Sequence, residues 1–227
     1  MSKTTKKILL WFADLLMNVV IIVVLVLVIQ KWIMAPFEIQ GASMCDNLNF
    51  IEGECKSSGE RIIINEALYL ISEPTRGDIV VIESPIEDED KFFIKRVIGI
   101  PGDTLELKGG YVYITAEGSE EAIKIEEPYL NERNLGHTES HFSTLRVFQV
   151  PEDKYFVMGD NRLDSRDSRS CLSGYLTSEC AQNKEKAFVD SDLIRGKATL
   201  VFWPLKNLRI LDHYRYPELA SESLAEK

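Results

Sequence analysis

The sequence predicts a mainly β protein, in which an antiparallel β-rich domain follows one N-terminal transmembrane helix. Two observations carry this prediction. Ile8–Ile29 is the only apolar run long enough to cross a membrane, and the rest of the chain consists mostly of short β-prone runs between turn signals. Helical periodicity is scarce after the apolar run. We therefore expect the antiparallel strands to form a closed or sandwich-like domain.

The apolar run predicts a membrane anchor rather than a cleaved signal segment. A secretory signal has an apolar region of about 7–15 residues followed by a small-residue cleavage site, whereas Gln30–Trp32 follow here. Lysines within residues 1–7 place this N-terminus in the cytoplasm by the positive-inside rule. We expect a single-pass protein of the cell membrane, anchored by residues 8–29, with its folded part on the outer face.

The predicted strands lie in a domain of residues 36–216. Lys108–Gly110 reads as a hairpin turn, and Glu66–Ile71 predicts one short turn of helix. We expect insertions near residues 45–60 and 170–187, and a flexible tail over residues 217–227. The predicted strands are Arg61–Asn65, Asp78–Glu83, Phe92–Ile100, Leu105–Leu107, Tyr111–Ile114, Leu145–Val150, Lys154–Met158 and Ala198–Trp203.

Composition and histidine spacing exclude two classes of function. The 227 residues include 36 acidic and 26 basic side chains, and no Lys/Arg-rich stripe occurs, so we expect no nucleic-acid partner. His137 and His141 have helical spacing, but no Glu completes a metal-binding motif and Gly136 disfavours a helix. The acidic run Glu87–Asp90 lacks the spacing of a calcium loop and indicates a solvated hairpin tip. We expect no metal and no cofactor.

The four cysteines fall into two local pairs. Zinc sites usually contain two cysteines separated by two to four residues, and the sequence has no such element. In an oxidising exterior, two short-loop disulfides, Cys45–Cys55 and Cys171–Cys180, are the simpler interpretation. Other pairings, a metal site and free thiols stay open as alternatives.

Ser43 is a candidate nucleophile near the membrane. It follows Gly41 and Ala42, two small residues that let the backbone approach a ligand closely. The backbone N–H of Ser43 could donate to an oxyanion, which is often the largest catalytic contribution. The alternative is an ordinary solvated turn serine.

Lys95 is a candidate base for that serine. Successive side chains of a strand point to opposite faces, so Phe93, Lys95 and Val97 share one face and Arg96 projects to the other. Burial among apolar neighbours lowers the pKa of a lysine, and a neutral amine can take a proton from a serine hydroxyl. The alternative is an edge-strand lysine whose ammonium group reaches water.

A third feature is the segment Gly159–Arg169, in which three Asp and three Arg interleave with two Ser. One interpretation is a surface loop with exchanging ion pairs, which contribute little to stability. The other is a rigid loop that supports an active site, with a serine hydroxyl orienting the lysine amine.

These residues carry a resemblance to type I signal peptidases, the membrane-anchored serine proteases that remove signal peptides from exported proteins. The matching segments, in the order of the family, are Phe37–Met44, Arg76–Val81, Ile94–Asp103 and Gly159–Arg169, followed by Arg195–Ala198. The resemblance extends from the anchor to Trp203. It implies hydrolysis of signal peptides through an ester-linked acyl-enzyme, with no metal or cofactor.

The resemblance also implies roles for individual residues. Ser43 would be the nucleophile and Lys95 the general base. The Ser165 hydroxyl would hydrogen-bond the lysine amine, while Asp167 and Arg169 would brace that loop. These assignments place the chemistry on the outer side of the membrane, next to the anchor.

The resemblance implies in addition how substrate and oxyanion are held. Gly41 stands where the family has its second oxyanion donor, so a water or a backbone group would replace a side-chain hydroxyl. The signal peptide of a secreted preprotein would bind as an added strand. Membrane lipid is a further expected partner, and contact with the secretion translocon is another. Shallow pockets for small residues at −1 and −3 of the cleavage site would be lined by Phe37, Ile39, Met44, Phe93 and Ile94.

Two segments depart from the family pattern, and the second is the insertion Ser170–Ala187, which a Cys171–Cys180 bridge could staple. In the first, Cys45–Leu48 follows Met44 where the family usually has Pro-Thr-Leu, and the connection to Glu60 is longer than expected. A Cys45–Cys55 bridge could rigidify this segment in place of the proline.

Two alternative functions stay open. One is an enzyme that processes specialised precursors such as pilins. The other is a catalytically inactive, membrane-anchored β-domain that binds peptides or a partner.

Overall fold

The protein folds as one long helix followed by antiparallel β-sheets. The structure is a computed structural model, and it describes residues 3–32, 34–45, 47–84, 92–140, 146–172 and 183–220. The helices are α1 (Lys3–Trp32) and α2 (Pro217–Ala220). The strands are β1 (Met34–Gln40), β2 (Phe50–Ile51), β3 (Glu54–Cys55), β4 (Ser58–Asn65), β5 (Ile79–Glu83), β6 (Phe92–Gly99), β7 (Thr104–Lys108), β8 (Tyr111–Thr115), β9 (Ile123–Lys124), β10 (Val147–Gln149), β11 (Lys154–Met158), β12 (Val189–Asp190), β13 (Ile194–Trp203) and β14 (Arg209–Ile210).

The main sheet carries the residues of interest. Its strand order is β1-β4-β13-β5-β6-β11-β12, and β14 pairs with β13 beside it. Strand β1 is an edge strand in the described part of the chain, whereas β6 lies inside the sheet between β5 and β11. A small sheet has the order β10-β7-β8-β9 and contains the predicted hairpin, and β2 pairs with β3. All of these pairings are antiparallel.

Three apolar cores hold these sheets in the described part of the chain, and the third packs Val80, Val97 and Val157 of β5, β6 and β11 together. The first lies where the small sheet packs on strands β6 and β11, and it includes Leu105, Val112 and Phe148 against Ile98 and Phe156. The second lies under β1, β4, β5 and β13. Burial of such side chains is the dominant stabilising contribution in a domain of this size. The members of the second core include Ile39, Met44, Leu48, Ile62, Ile64, Ile79, Val81, Ile94, Ala198 and Val201.

The predicted fold class is confirmed, and most predicted strands are present with shifted ends. Strand β13 begins at Ile194 rather than Ala198, and β4 begins at Ser58 rather than Arg61. The short helix predicted after β4 is a 3₁₀ turn at Ala67–Leu70. The sequence analysis did not predict β1, which follows the anchor directly and contains a proline that an edge strand tolerates.

The cysteine and tail predictions have separate outcomes. The disulfide Cys45–Cys55 is present, whereas Cys180 lies outside the described residues, so the Cys171–Cys180 bridge stays a prediction. The predicted acidic tip Glu87–Asp90 also lies outside them. Of the predicted flexible tail, Pro217–Ala220 form helix α2, where a Glu218 carboxylate accepts a hydrogen bond from the Glu126 backbone N–H. Residues 221–227 lie outside the described residues, so a flexible tail there stays a prediction.

Helix α1 leads straight into the main sheet. Its Lys6–Leu27 portion is long and apolar enough to cross a membrane. The helix ends at Trp32 and β1 begins at Met34. Because a strand advances about 3.3 Å per residue, the seven residues of β1 span only about 23 Å. Whatever follows β1 therefore lies close to the end of the helix.

Candidate active site

Ser43 and Lys95 meet at the end of the main sheet. Ser43 lies in a loop of residues 41–49, the Ser43 loop, which follows edge strand β1. Lys95 lies in strand β6, where it pairs with Val80 of β5. The Lys95 Nζ is 2.9 Å from the Ser43 Oγ and also donates to the Ile94 carbonyl at 2.9 Å. The two candidate residues of the sequence analysis are thus in direct hydrogen-bond contact.

The Lys95 amine is buried without a counter-charge in contact. Its side chain is 2% exposed, and its Nζ lies 5.3 Å from the centre of the Phe93 ring on the same strand face. Among the described residues, Lys95 forms no ion pair. Burial lowers the pKa of Lys95 to about 8, although the charges of Asp167 and Asp160 act in the opposite direction. The alternative of an edge-strand lysine that reaches water is therefore wrong.

Arg96 lies on the opposite face of β6, as the alternation of strand side chains predicts. Its guanidinium forms a two-pronged pair with Asp160, with nitrogen–oxygen distances of 2.9 and 2.7 Å, and donates to the Gly77 carbonyl at 2.9 Å. It also stacks on the Tyr129 ring at 3.9 Å from the centroid. Although burial opposes the charge, Asp160 raises the pKa of Arg96.

Asp167 and Arg169 brace the loop that follows strand β11. The Asp167 carboxylate accepts hydrogen bonds from the Arg169 guanidinium at 2.9 and 2.8 Å and from the Gly159 backbone N–H at 3.0 Å. Burial alone would raise the pKa of Asp167, but Arg169 and this N–H hold it at about 2. The segment is therefore a rigid, internally paired support rather than a solvated loop.

Ser165 does not make the hydrogen bond to Lys95 that the resemblance implies. Among the described residues, its buried Oγ makes no hydrogen bond, and the amine of Lys95 donates to Ser43 and Ile94 instead. The hydroxyl is near enough to Asp167 to help lower the pKa of that carboxyl, but its geometry falls outside that of a hydrogen bond. The Oγ is packed next to Gly159, where an added Cβ would come within 2.2 Å of it.

The segment Gly159–Asn161 holds the Ser43 loop in place through hydrogen bonds and a close backbone contact. The Asn161 backbone N–H donates to the Ser43 carbonyl at 3.0 Å, and its side chain donates to the Ala42 carbonyl at 3.0 Å. A Cβ at Gly159 would lie 2.4 Å from the Ser43 carbonyl, so only glycine permits this approach. The sequence analysis did not single out Gly159 or Asn161. The only signal available was their place in the matched segment.

The backbone around Ser43 leaves one donor unused. The Gly41 N–H donates to the Ser57 carbonyl at 2.7 Å, and Gly41 has a φ of +84°, a conformation that favours glycine. Within the described residues, the Ser43 N–H has no hydrogen-bond partner. It is therefore available to a negative oxygen that develops next to the Ser43 hydroxyl, whereas the Gly41 N–H is already engaged.

A shallow, open cleft lies between strands β1 and β6. The rings of Phe37 and Phe92 contact each other edge to face across it, with centroids 5.2 Å apart. Met44, which the resemblance places in a substrate pocket, does not line this cleft; it is buried in the core, and its sulfur accepts a hydrogen bond from the Asp160 N–H. The lining residues are Phe37, Glu38, Ile39, Gln40, Ile62, Val81, Phe92, Phe93 and Ile94.

A partly buried polar cluster behind the Ser43 loop also escaped the sequence analysis. It consists of Asn49, Glu60, Asn207 and Arg209, joined by side-chain hydrogen bonds. Arg209 is 149 positions from Glu60 in the sequence, and no local pattern links such distant residues. The one available signal was that Glu60 alternates with Ile62 and Ile64, which places it on the buried face of β4.

No metal centre competes with this site in the residues that the structure describes. No group of three or more His, Cys, Asp and Glu side chains there could hold a metal ion. His137 is exposed, and His141 lies outside the described residues.

Comparison with known proteins shows which family this chain resembles in sequence. The family model for signal peptidase, peptidase S26, matches residues 12–203. Signal peptidase I S of Bacillus subtilis is 34% identical over 195 residues, covering 84% of this chain and 89% of that protein. Signal peptidase I of Bacillus licheniformis is 32% identical over 197 residues, covering 86% and 90%. A solved signal peptidase I from Enterococcus faecalis V583 is 29% identical, covers 56% of this chain and 97% of that one, and superposes with a TM-score of 0.37.

Proposed function

This chain belongs to the signal peptidase family, peptidase S26, and is a serine endopeptidase; on that premise we propose that Ser43 is its nucleophile and Lys95 its general base. Family membership supports the signal peptides of preproteins as its substrates. The observation that carries the proposal is the 2.9 Å contact between the Ser43 hydroxyl and a buried Lys95 amine that has no ion-pair partner among the described residues.

Lys95 suits proton transfer because its lowered pKa lets the amine lose its proton readily. With a pKa of about 8, an appreciable fraction of Lys95 is neutral near pH 8, and a neutral amine has a lone pair that can accept the serine proton. The hydrogen bond to the Ile94 carbonyl directs the amine toward the Ser43 loop. No second residue is needed to remove the proton.

The acylation step follows from this arrangement. The Ser43 Oγ attacks the scissile carbonyl carbon while its proton passes to the Lys95 amine, and the carbonyl oxygen becomes an oxyanion beside the unused Ser43 N–H. When the intermediate collapses, the carbon–nitrogen bond breaks and the Lys95 ammonium returns the proton to the leaving amine. The signal peptide is then bound to Ser43 as an ester.

Deacylation uses the same groups. Lys95 is neutral again after the amine leaves, so it can take a proton from a water molecule that attacks the ester carbon. The ester carbon–oxygen bond breaks, and the proton passes from Lys95 to the Ser43 oxygen. The enzyme is thereby restored, and the signal peptide leaves with a free carboxylate.

The substrate is proposed to bind as a strand along the cleft between β1 and β6. Strand β1 presents a free edge in the described part of the sheet, and such an edge can pair with an extended peptide. The apolar lining, to which Ile39, Phe93 and Ile94 contribute, suits small uncharged side chains. We expect a preference for small residues at −1 and −3 of the cleavage site.

The anchor explains why the site would act at a membrane. Helix α1 would hold the chain in the membrane, and Ser43 follows the short strand β1 that begins two residues after the helix ends. Lysines before the apolar run favour a cytoplasmic N-terminus and therefore an active site on the outer face. A substrate tethered in the same bilayer by its own signal helix would then be within reach.

The decisive experiment replaces each member of the pair. Purified Ser43→Ala and Lys95→Ala proteins are incubated with a synthetic precursor peptide, and the products are located by mass spectrometry. We expect cleavage to fall by about 10³-fold or more in both variants with the fold retained. The control is Ser72→Ala, since Ser72 is exposed and bonds only locally to Leu68. Undiminished cleavage by either active-site variant would refute the assignment.

The pH dependence gives a second, independent readout. The rate should rise by about tenfold per pH unit below pH 8 and level off above it, because Lys95 must lose its proton first. A profile that stays flat from pH 5 to 9 would contradict a lysine base. An inactive peptide-binding domain, the alternative function, would not cleave the precursor even as the wild type, and it would bind the precursor equally well in both variants.

A further inference from the structure

Asn49 pins the start of the Ser43 loop to strand β1. It is buried, and its side-chain amide donates to the carbonyls of Ile39 at 3.1 Å and Gly41 at 3.2 Å. Its side-chain oxygen accepts from the Glu60 backbone N–H at 3.0 Å. Asn49 has a φ of +58°, a left-handed conformation that Asn adopts more readily than most residues. Each polar atom of its side chain is therefore committed to holding the loop.

Glu60 is the charged centre behind Asn49. Its fully buried carboxylate accepts from the Asn49 backbone N–H at 2.8 Å and from Asn207 at 2.9 Å. Arg209 donates to both carboxylate oxygens, at 2.7 and 2.9 Å. Burial alone would raise the pKa of Glu60, but Arg209 and the Asn49 N–H lower it, so the carboxylate is charged at neutral pH.

Arg209 extends the same cluster to the other end of the loop. While one side of its guanidinium is held by Glu60, its NH2 group also donates to the Asn47 carbonyl at 2.6 Å. The loop is thus gripped at Gly41 through Asn49 and at Asn47 through Arg209. Ser43 lies between the two attachment points. The Gly159–Asn161 segment holds the loop on its other side through the Ser43 carbonyl.

We propose that Glu60 is a positioning residue for the reaction, because it fixes Asn49 and Arg209 and thereby holds the Ser43 hydroxyl and N–H in the geometry that the transition state requires. The inference rests on the proposed function of Ser43. A nucleophile and an oxyanion donor on one flexible loop keep their alignment only if the loop is fixed on both sides. The cluster adds attachment points at the Gly41 and Asn47 carbonyls to those of Gly159–Asn161, in which Asp160 accepts from the Asn47 side chain at 2.8 Å.

The charge of Glu60 is essential to this arrangement. A carboxylate accepts from both arms of Arg209 and from two further donors, whereas a glutamine has one acceptor oxygen and presents an NH₂ group to the cation. Replacing Glu60 with Gln would therefore preserve the size of the side chain but release Arg209 and, with it, the Asn47 carbonyl. The expected consequence is a loosened loop rather than an empty cavity.

The test compares Glu60→Gln with Glu52→Gln in the full-length protein. Glu52 lies in the same insertion, is exposed, and pairs only with Lys206. In Glu60→Gln we expect kcat to fall by about tenfold to a hundredfold, with KM within about twofold. The midpoint of the pH–rate profile should not move, because Lys95 contacts none of these residues. Glu52→Gln should match the parent protein in all three measurements.

A second variant separates positioning from folding. Arg209→Lys keeps a cation near Glu60 but loses the fork and the bond to Asn47, so we expect an intermediate loss of kcat. Thermal unfolding and near-ultraviolet circular dichroism give the folded fraction, by which each rate is divided. If kcat per folded molecule equals that of the parent in both variants, the cluster is only structural and the inference is overturned. If KM rises while kcat is retained, or the pH midpoint shifts, the inference is equally overturned.

The inference and the proposed function fail in different ways. Cleavage by Ser43→Ala would remove the proposed function and the inference together. An inactive Ser43→Ala protein alongside fully active Glu60→Gln and Arg209→Lys proteins would leave the proposed function intact and overturn only the role of Glu60.

Discussion

The two faces of strand β6 shift the pKa values of two neighbouring buried cations in opposite directions. Lys95 and Arg96 are each 2% exposed. Arg96 has a dedicated carboxylate, Asp160, bound through both of its oxygens. Lys95 has an alcohol and a carbonyl as its hydrogen-bond partners and, within the described residues, no ion pair. The pKa of Lys95 falls to about 8, whereas that of Arg96 rises.

This contrast shows what determines the protonation state of a buried cation. Burial penalises the charged form on both faces, and only a paired carboxylate offsets it. Two other buried cations follow the Arg96 pattern, since Arg162 pairs with Glu127 and Arg169 with Asp167. Lys95 is the exception at the position where the proposed chemistry needs a neutral amine.

The largest expected effect on cleavage comes from replacing Lys95 with arginine, the residue type of its neighbour Arg96. In Lys95→Arg the guanidinium keeps its proton at every pH at which the protein is folded, so it cannot accept one from Ser43. We expect precursor cleavage to fall by about 10³-fold or more, measured by product mass spectrometry at pH 9. Lys154→Arg, at an exposed pair with Asp190, is the control and should cleave normally. Cleavage that survives in Lys95→Arg would mean that Lys95 is not the base.

The next effect comes from removing the counter-charge on the other face. Asp160→Asn leaves Arg96 buried without its carboxylate, and such unpaired charges cost about 3–5 kcal/mol. The measurement is the free energy of unfolding in urea. Glu38→Gln breaks the long, exposed pair with Arg61 and should change this free energy by less than about 1 kcal/mol. Equal losses in the two variants would show that the buried pair is worth no more than a surface pair.

Sequence reasoning predicted these two faces but not their partners. The period of two in a strand assigns Lys95 and Arg96 to opposite sides, and the apolar neighbours of Lys95 indicate burial. The local sequence does not predict which aspartate pairs with Arg96. The partner is Asp160, 64 positions away, and it is one of three aspartates in the segment Gly159–Arg169. The distinction between an inner and an edge strand also depends on strand order, which is a long-range property.

The same limit applies to the contacts of Ser165 and Met44. A resemblance assigns a role to a position, but the direction of a side chain depends on packing that the position does not specify. Ser165 lies against Gly159, and Met44 turns into the core. The Glu60 cluster was missed because its members come from the insertion and from the distant segment Asn207–Arg209, which leads into β14. Such pairings are invisible to periodicity.

A third effect concerns stability and pH. The folded protein releases the Lys95 proton near pH 8, whereas an unfolded chain retains it until about pH 10.5. Between these values unfolding takes up a proton, so the contribution of Lys95 makes the protein more stable as pH rises. Relative to Lys95→Met, which has no titrating group there, the wild type should gain about 3 kcal/mol across this window.

Urea unfolding of both proteins at pH 7.5, 9 and 10 measures this difference. The Lys154→Met variant serves as the control, because Lys154 is partly exposed and forms its own ion pair. A difference between wild type and Lys95→Met that is independent of pH would show that Lys95 titrates near its ordinary value. The comparison of the two faces would then lose its electrostatic basis, although the contact with Ser43 would stand.

The smallest effect is expected when Arg96 is made to resemble Lys95. Arg96→Lys keeps a cation beside Asp160 but loses the two-pronged pair and the bond to the Gly77 carbonyl. We expect a loss of about 1–3 kcal/mol in the free energy of unfolding, with cleavage within about tenfold of the parent. Cleavage survives because the paired carboxylate keeps the new lysine charged on the face that points away from Ser43. If Arg96→Lys instead abolished cleavage without unfolding the protein, the two faces would not be chemically separate, and Arg96 would have to act on the Ser43 loop through Asp160.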